Sequence, residues 1–390
     1  MDPVTNPFSP GAGTKPPELA GRENILQDAR TALARIIAGR SSQSQMLLGL
    51  RGTGKTVLLN EIRNYAEDLD YMVAQFEAPE DHSLADMLYP EMQQALRTFS
   101  NVEAAKEIAL RGLGALQNFA SIFKVKVSEV EFEVKPATGT ADSGFLERDL
   151  TEMFEMVGRT AQVANRGWAL LIDEVQYLKE DELTALITAL HRVNQRGFPV
   201  IVFAAGLPQI AKLAGDAKSY AERLFSYPEV GALSREDAQA AIQNPLREEG
   251  VEIEEDALAM IIEKTEGYPF FIQEWGKRAW NIAQSSPIKL KDVEAANEVA
   301  LQALDKGFFK VRMDRLTPAE ENYVHAMAAI GSGPYTASQV AEHLNREPKS
   351  LSPLRSSIIK KGMIYSPTRG ELQFTVPLYD EHLRRQGELS

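Results

Sequence analysis

The 390-residue sequence contains no cysteine, which excludes disulfide bonds, thiolate zinc sites and cysteine nucleophiles. Its five histidines are scattered and show no H-x-x-x-H spacing that would indicate a metal site on a helix. No apolar run approaches the ~18 residues of a membrane span, and no signal-peptide pattern stands at the N-terminus. We therefore expect a cytoplasmic protein without a membrane partner.

Charge is unevenly distributed along the chain. The net charge of −13 argues against a protein that nucleic acid coats along its whole length. Residues 317–390 are neutral, with eight Lys or Arg and eight Asp or Glu, so the preceding residues carry the whole acidic excess. Within this neutral stretch, residues 346–370 contain six basic residues and one acidic residue, Glu347. The sequence therefore predicts one local basic surface on an acidic protein.

Residues 49–56, Gly-Leu-Arg-Gly-Thr-Gly-Lys-Thr, match the phosphate-binding pattern G-x-x-x-x-G-K-[ST], the Walker A motif. An apolar run at 45–48, typical of a buried strand, precedes the motif, and a helical pattern follows it. The glycines permit backbone angles in which amide groups turn towards phosphate oxygens at the positive end of that helix. We expect the following residues to bind a nucleotide: Gly49, Arg51, Gly52, Thr53, Gly54, Lys55, Thr56 and Val57.

Two side chains of this loop have defined roles in such a site. We expect Lys55 to reach the β- and γ-phosphates as a point charge and so to act in catalysis. The Thr56 hydroxyl is expected to complete the coordination shell of Mg²⁺. Magnesium is the only metal that we expect, because the chain lacks both thiolates and suitably paired histidines.

A second motif, of the Walker B type, supplies the acidic half of the site. Residues 169–172 form a short apolar run, typical of a buried parallel strand, and Asp173 and Glu174 follow directly. Ligands bind at this end of the strands in open α/β sheets. We expect Asp173 to bind magnesium and Glu174 to act as the general base for water. Because a small-molecule kinase would replace that water with an acceptor hydroxyl, the pair favours ATP hydrolysis over phosphoryl transfer.

The length of the chain predicts two or three domains. We expect a flexible, Pro/Gly-rich segment at 1–18 that drapes over the first domain, and a P-loop ATPase core at 19–232. We expect an insertion at about residues 80–143. It should contain helices and a β-hairpin around Ser128 and Glu129. A helical lid at 233–312 and a winged helix-turn-helix at 313–390 complete the chain.

The strand predicted at 198–206 ends without a polar residue that could sense the γ-phosphate. Residues 205–208 read Ala-Gly-Leu-Pro. The sensing role therefore passes either to backbone groups or to a neighbouring side chain such as Gln209.

Three helices and a two-stranded wing are predicted at the C-terminus, from helix starts near 317, 336 and 350 and a hairpin at 365–376. This layout suits phosphate contacts beside a major groove of duplex DNA. The basic residues concerned are Lys349, Arg355, Lys360, Lys361 and Arg369. Winged helices also serve as protein-docking modules, so a protein partner remains the alternative.

Arg223 lies in a short predicted helix ahead of Tyr227 and Pro228. An arginine contributed to a neighbouring subunit could stabilise charge on the transferring phosphoryl group. On spacing alone, a surface salt bridge with Glu222 or Asp216 is the favoured interpretation. Gly21 and Arg22, at the start of the first helix, either line the adenine pocket or only begin that helix.

Taken together, Gly21–Glu23, the loop at 49–56, Asp173-Glu174, Gly267-Tyr268-Pro269 and the predicted winged helix resemble a known group. The chain resembles AAA+ P-loop ATPases of the origin-recognition and Cdc6-like type, the signal-transduction (STAND-type) ATPases and transposon-helper ATPases. It is most similar to bacterial ATP-binding proteins of unassigned role. This resemblance implies an α/β fold with a parallel sheet and helices on both faces.

The same resemblance implies that Arg223 is an arginine finger and that Pro269 packs near adenine. The chain departs from the group in its missing polar sensor and in having no arginine directly after Gly267, which favours slow turnover. Our first hypothesis is an ATP-gated switch that binds duplex DNA and cycles between ATP and ADP. The alternative is a signalling or defence regulator whose winged helix docks a protein, and either could self-associate when nucleotide binds.

Overall fold

The computed structural model describes residues 1–11, 13–78, 82–125, 139–368 and 370–389. Its centre is a five-stranded parallel sheet with the strand order β2-β3-β4-β1-β5. The strands are β1 (Ser44–Leu48), β2 (Tyr71–Glu77), β3 (Gly167–Asp173), β4 (Val200–Gly206) and β5 (Phe225–Ser226). Because all strands run in the same direction, β1 and β3 have their carboxyl ends at the same end of the sheet.

Both faces of the sheet are buried, which explains the continuous apolar runs that form its strands. Successive residues of β3 point to opposite faces: Leu170 and Ile172 join one hydrophobic cluster, whereas Ala169 and Leu171 join the other. The second of these clusters is completed by α1 (Glu23–Ile37) and α2 (Lys55–Asp68). The predicted parallel sheet with helices on both faces is thus confirmed.

The opposite face is covered mainly by helices of the insertion and by those that flank β3. These helices are α3 (Leu84–Ser100), α4 (Glu103–Ile122), α5 (Leu146–Val163) and α6 (Glu180–Gln195), followed by the short α7 (Ile210–Ala217) and α8 (Ala221–Leu224). The helical part of the predicted insertion therefore corresponds to α3 and α4. The β-hairpin predicted around Ser128 and Glu129 lies outside the described residues.

The predicted lid is helical throughout. It comprises α9 (Arg235–Glu248), α10 (Glu255–Thr265), α11 (Pro269–Ile282), α12 (Leu290–Ala303), a π-helical turn (Leu304–Phe309) and α13 (Lys310–Met313). The side chain of Ser234 caps α9 by accepting a hydrogen bond from the Asp237 N–H at 3.1 Å, as the sequence spacing predicts.

The C-terminal unit contains a small antiparallel sheet, with the order β6-β8-β7, among four helices. Its elements are α14 (Pro318–Ile330), β6 (Tyr335–Thr336), α15 (Ala337–His343), α16 (Ser352–Lys360), β7 (Ile364–Tyr365), β8 (Glu371–Phe374) and α17 (Tyr379–Leu389). This arrangement is compatible with a winged helix. A single hydrophobic cluster runs from the lid into this unit, from Trp275 through Phe309 to Tyr379.

The N-terminal segment contacts the lid as well as the core. Phe8 is 3% exposed in the lid cluster, and Ser9 N–H donates to Gln273 Oε1 at 3.1 Å. Further along, Asn60 donates to the Gly13 carbonyl at 3.3 Å, and Lys15 pairs with Glu61 at 3.0 Å. The contacts with the first domain agree with the expected placement of the segment. The contacts with the lid are an addition, because Phe8 provides an apolar anchor that the Pro/Gly-rich composition does not reveal.

No helix in the described ranges is long and apolar enough to cross a membrane.

A buried carboxylate, Glu320, fixes α16 against α14. Glu320 is 2% exposed and accepts hydrogen bonds from Lys361 Nζ and Ser357 Oγ, both at 2.6 Å, and from the Thr317 N–H at 2.7 Å. Burial by itself would raise the pKa of Glu320, but these bonds outweigh it and lower the pKa to about 2. The stabilisation is therefore present above the ordinary pKa of glutamate and is lost as the pH falls towards 2.

We predict that Lys361→Met destabilises the protein by about 1–3 kcal/mol at neutral pH, because Glu320 then stays buried without its charged partner. The neighbouring Lys360 is exposed, so Lys360→Met is the matched control and should change stability by less than about 0.5 kcal/mol. Urea unfolding followed by circular dichroism measures both. Equal stability of the two variants would contradict the assigned role of Lys361.

Candidate functional site

The Walker A loop connects β1 to α2 in the predicted way. Gly52 and Gly54 have φ angles of 84° and 94°, a region that side chains disfavour, and Gly54 is the N-cap of α2. A Cβ atom on Gly49 would lie 2.2 Å from the Val230 carbonyl oxygen. Each of these positions thus requires glycine, either because of its backbone dihedral angle or because a side chain would not fit. The loop surrounds the N-terminus of α2, where an anion is favoured.

The Lys55 ammonium group lies inside this loop. Its Nζ donates to the carbonyl oxygens of Gly49 at 2.9 Å and Leu50 at 2.8 Å, and the residue is 6% exposed. Burial lowers the pKa of Lys55, whereas Glu174 and Asp173 nearby oppose this shift. A buried cation with only neutral oxygens in hydrogen-bonding contact is well placed to bind a phosphate.

The Walker A and Walker B motifs meet at Thr56 and Asp173. Thr56 Oγ1 donates to Asp173 Oδ2 at 2.5 Å, which joins the start of α2 to the end of β3. Asp173 is 9% exposed, and burial raises the pKa of its carboxyl group. The described residues contain no cluster of three or more His, Cys, Asp or Glu that could hold a metal. One hydroxyl and one carboxylate nevertheless suit Mg²⁺, which normally completes its shell with phosphate oxygens and water.

Glu174 follows in a left-handed conformation, with φ of 51°, and its carboxylate already has polar neighbours. Gln176 Nε2 donates to Glu174 Oε2, and Arg51 Nη2 lies 3.8 Å from the same oxygen. Arg51 in turn donates to the Tyr177 hydroxyl at 2.5 Å. The carboxylate expected to act as a base is therefore held in a defined position next to the loop.

Gln176 also contacts the tip of β4, where the sequence provides no polar sensor. Its Oε1 accepts the Leu207 N–H at 3.1 Å, so one side chain links Glu174 to the end of β4. A Cβ atom on Gly206 would lie only 2.7 Å from that Oε1, which explains the glycine there. Gln209 as a neighbour that senses the γ-phosphate stays a prediction, whereas Gln176 is the side chain that bonds to the tip of β4. The position of Gln176, two residues after Glu174, was the only sequence feature that could have indicated this contact.

A pocket of about 720 Å³ extends from the loop to the lid. Arg22 donates to the carbonyls of Gly231 and, at 3.5 Å, Thr53, so it joins the loop to the chain that leads into the lid. Pro269 lines the pocket at the start of α11, while Gly21 adjoins it against Asp237. The pocket is also lined with apolar side chains of a kind that suits a nucleotide base, namely Ala20, Val57, Leu233, Ala241 and Ile272.

Two parts of the chain that the sequence analysis did not assign to the site also line this pocket. The first comprises residues 9–11, 13–14 and 16 of the N-terminal segment. The second comprises Phe270, Phe308 and Arg312, from α11, the π-helical turn and α13. No local motif marks these residues, because they come together only when the lid folds over the core.

Arg223 does not reach the pocket of its own chain. It is exposed on α8, directly before β5, whose first residue pairs with Ser44 at the start of β1. Arg223 thus lies near the amino end of β1, whereas the Walker A loop follows the carboxyl end of that strand. Within the described ranges, neither Glu222 nor Asp216 forms an ion pair with it. Its action on a neighbouring subunit stays a prediction.

The residues predicted to contact DNA differ in their surroundings. Lys349 and Lys360 are exposed, and Arg355 is half-buried. Lys361 is paired with Glu320 at 2.6 Å and also donates to the Arg315 carbonyl, so its charge serves internal packing. Arg369 lies outside the described residues.

We predict that Gln176→Leu speeds hydrogen exchange at the Leu207 amide by about 3- to 10-fold, because the variant keeps the size of the side chain but removes the acceptor. Gln209→Leu, which changes the same residue type nearby, is the control and should leave that amide unaffected. Exchange followed by mass spectrometry on the peptide that contains Leu207 measures both. Unchanged exchange in Gln176→Leu would show that the bridge is unimportant.

Comparison with known proteins agrees with the geometry. Residues 18–203 match the family model of the AAA ATPase domain, and residues 306–383 match that of a domain of unknown function. An uncharacterised HTH-type transcriptional regulator of Methanocaldococcus jannaschii is 24% identical over 371 residues, which span 90% of this chain and 84% of the relative.

One solved structure shows the same architecture, and a second is aligned over most of its length. A Walker-type ATPase of Pyrococcus abyssi superimposes with a TM-score of 0.57 at 16% identity, over 94% of this chain and 96% of that chain. The Orc1 protein of Aeropyrum pernix, solved with DNA, gives a TM-score of 0.47 at 16% identity, over 96% and 94% of the two chains. The likeness to the Walker-type ATPase shows the fold, and the family model of the AAA ATPase domain covers residues 18–203.

Proposed function

We propose that this protein binds ATP together with Mg²⁺ and hydrolyses it slowly, as a molecular switch. The observation that carries the proposal is the convergence of Lys55, Thr56, Asp173 and Glu174 at one edge of the sheet. A structural lysine would be stabilised by a direct carboxylate partner, whereas Lys55 donates to loop carbonyls that a phosphate can replace. The matching AAA ATPase family model supports the same conclusion.

In this proposal, the loop amides and the Lys55 ammonium bind the β- and γ-phosphates. Thr56 and Asp173 hold the metal ion, which would neutralise phosphate charge. The apolar side chains of the pocket, with Pro269, receive the base. Asp173 then keeps its negative charge, because bound cations offset the burial that raises its pKa.

Glu174 accepts the proton of the attacking water. To do so, its carboxylate must turn from Gln176 and Arg51 towards that water, which breaks polar contacts already made. This rearrangement favours slow turnover. Since the base sits beside the metal-binding carboxylate, water is a better acceptor than a substrate hydroxyl, and hydrolysis is favoured over kinase activity.

The lid and the C-terminal unit both contact the loop backbone, which supports a switch. The Phe270 N–H donates to the Gly52 carbonyl, and the Arg51 N–H donates to the Thr375 carbonyl, each at 3.2 Å. Any change of the loop on nucleotide binding therefore acts directly on both units.

We predict that Glu174→Gln lowers the rate of ATP hydrolysis by at least about 100-fold but retains nucleotide binding, because it removes the base and keeps the shape. Lys55→Ala should instead lose binding. Phosphate release under single-turnover conditions and equilibrium binding of a fluorescent ATP analogue separate these effects. Lys15→Ala, which removes an exposed lysine near the pocket, is the control for Lys55. Full hydrolysis by Glu174→Gln would contradict its role as base.

As a second part of the function, we propose that the C-terminal unit binds duplex DNA through α16 and the residues before it. Its fold is compatible with a winged helix, and Lys349 and Lys360 are exposed on this face. The relative described as an HTH-type transcriptional regulator supports this proposal. Because Lys361 is engaged by Glu320, the basic surface is smaller than the sequence suggests. A protein partner docked on the same face is the alternative.

We predict that the protein binds duplex DNA with an affinity that falls as salt rises, and that Lys349→Glu/Lys360→Glu weakens binding and lowers the salt slope by about 2. The control is Lys264→Glu/Lys291→Glu, which makes the same change of net charge on exposed lid residues. Fluorescence anisotropy at several salt concentrations, with ADP or a slowly hydrolysed ATP analogue, measures both. Absence of salt-dependent binding in either state would exclude DNA and favour the protein partner.

A further inference from the structure

Arg312 brings an unassigned positive charge to the nucleotide pocket. It lies in α13, between the lid and the C-terminal unit, and lines the pocket together with Lys55, Asp173 and Glu174. It belongs to a different part of the chain from the Walker A loop, yet both line this one pocket, and Arg51 of the loop is among the electrostatic neighbours of Arg312.

The guanidinium group of Arg312 is firmly oriented but incompletely bonded. Its Nη1 donates to the Phe308 carbonyl at 2.7 Å, and its Cζ lies 3.7 Å from the centre of the Phe308 ring. The Phe308 ring itself stacks on Phe270, with centroids 4.8 Å apart. The Nε atom is buried and has no hydrogen-bond partner among the described residues. Two aromatic rings thus fix the direction of the group while part of its donor capacity stays unused.

The charged groups around Arg312 do not neutralise its positive charge. Burial and the nearby Arg51 together lower the pKa of Arg312 to about 10, while Tyr379 and Glu174 act in the opposite direction. No ion pair engages Arg312 in the described part of the chain, and Arg51 also has a buried Nε without a partner. Two arginines that line one pocket and repel each other are stabilised when an anion with several acceptor oxygens binds to both.

We propose that Arg312 binds the terminal phosphate of ATP and so makes the C-terminal unit sensitive to the presence of that phosphate. The electrostatic neighbours of Arg312 are Arg51 and Glu174, which belong to the γ-phosphate side of the site rather than to the base side. This inference rests on the proposed ATP binding. It gives Arg312 the role of a binding residue that distinguishes ATP from ADP.

The position of Arg312 explains how the C-terminal unit would respond. The next residue, Met313, belongs to the hydrophobic cluster shared by the lid and the C-terminal unit. On the other side, Gly362 packs so closely on Arg51 that a Cβ atom would lie 2.8 Å from its Nη2. A phosphate held between Arg51 and Arg312 would therefore link the loop to the C-terminal unit, and its loss would remove that link.

A purely structural role is the competing explanation. In that case Arg312 would only hold Phe308 and the π-helical turn in place, and its removal would affect stability and both nucleotides alike. The two explanations differ in one quantity, the ratio of the affinities for ATP and ADP.

The test is calorimetric titration of the full-length protein with magnesium and either ATPγS or ADP. For Arg312→Gln we expect a loss of ATPγS affinity of about 10- to 100-fold with less than about a 3-fold change for ADP, since only the triphosphate reaches the guanidinium. Arg312→Lys keeps the positive charge but loses the planar guanidinium group, and its loss of ATPγS affinity should be intermediate. The control, Arg315→Gln, changes an exposed arginine three residues away and should bind both nucleotides normally.

An equal loss for both nucleotides, or no loss for either, in a folded Arg312→Gln would overturn the inference. If Arg312→Gln does not fold, Arg312→Lys decides: an unchanged ATPγS-to-ADP ratio overturns the inference, and a lowered ratio supports it. Limited proteolysis adds a second readout, because the difference in C-terminal cleavage between ATPγS and ADP should disappear in either variant. Wild type that binds neither nucleotide would refute the proposed function itself. Wild type that binds both, with unaltered selectivity in the variants, would refute only the role of Arg312.

Discussion

Burial of the Lys55 ammonium beside the Asp173 carboxyl group is the constraint on which the site depends. Both groups are almost inaccessible to water, and burial shifts the pKa of each towards its neutral form. Such groups are costly unless ions or hydrogen bonds compensate them. A phosphate with a divalent cation would compensate both groups at once, and this is the physical basis of the ligand that we propose for the loop.

The rest of the molecule is arranged around that loop. The lid and the C-terminal unit share one hydrophobic cluster, and each contacts the loop backbone through a single hydrogen bond. Because both units contact the loop directly, a change of the loop would act on both of them, as the proposed switch requires. The N-terminal segment joins the same body through Phe8, which places it over the pocket between lid and core.

Local motifs made the centre of the site predictable, and long-range contacts made its periphery unpredictable. The loop at 49–56 and the pair at 173–174 carry their chemistry in consecutive residues, and the sheet confirms that parallel strands bring the two ends together. Gln176 and Arg312 carry no such pattern, because their partners are distant along the chain. The basic C-terminal surface was overestimated for the converse reason: nothing near Lys361 in sequence reveals that Glu320 neutralises it.

The central claim is that one triphosphate with its metal is held between the Walker A loop and Asp173. The most direct measurement is a calorimetric titration of the wild-type protein with ATPγS, with magnesium and again with excess EDTA. We expect one nucleotide per chain with magnesium and clearly weaker binding without it. Absence of binding heat with magnesium present, at millimolar nucleotide and at two temperatures, would contradict the account.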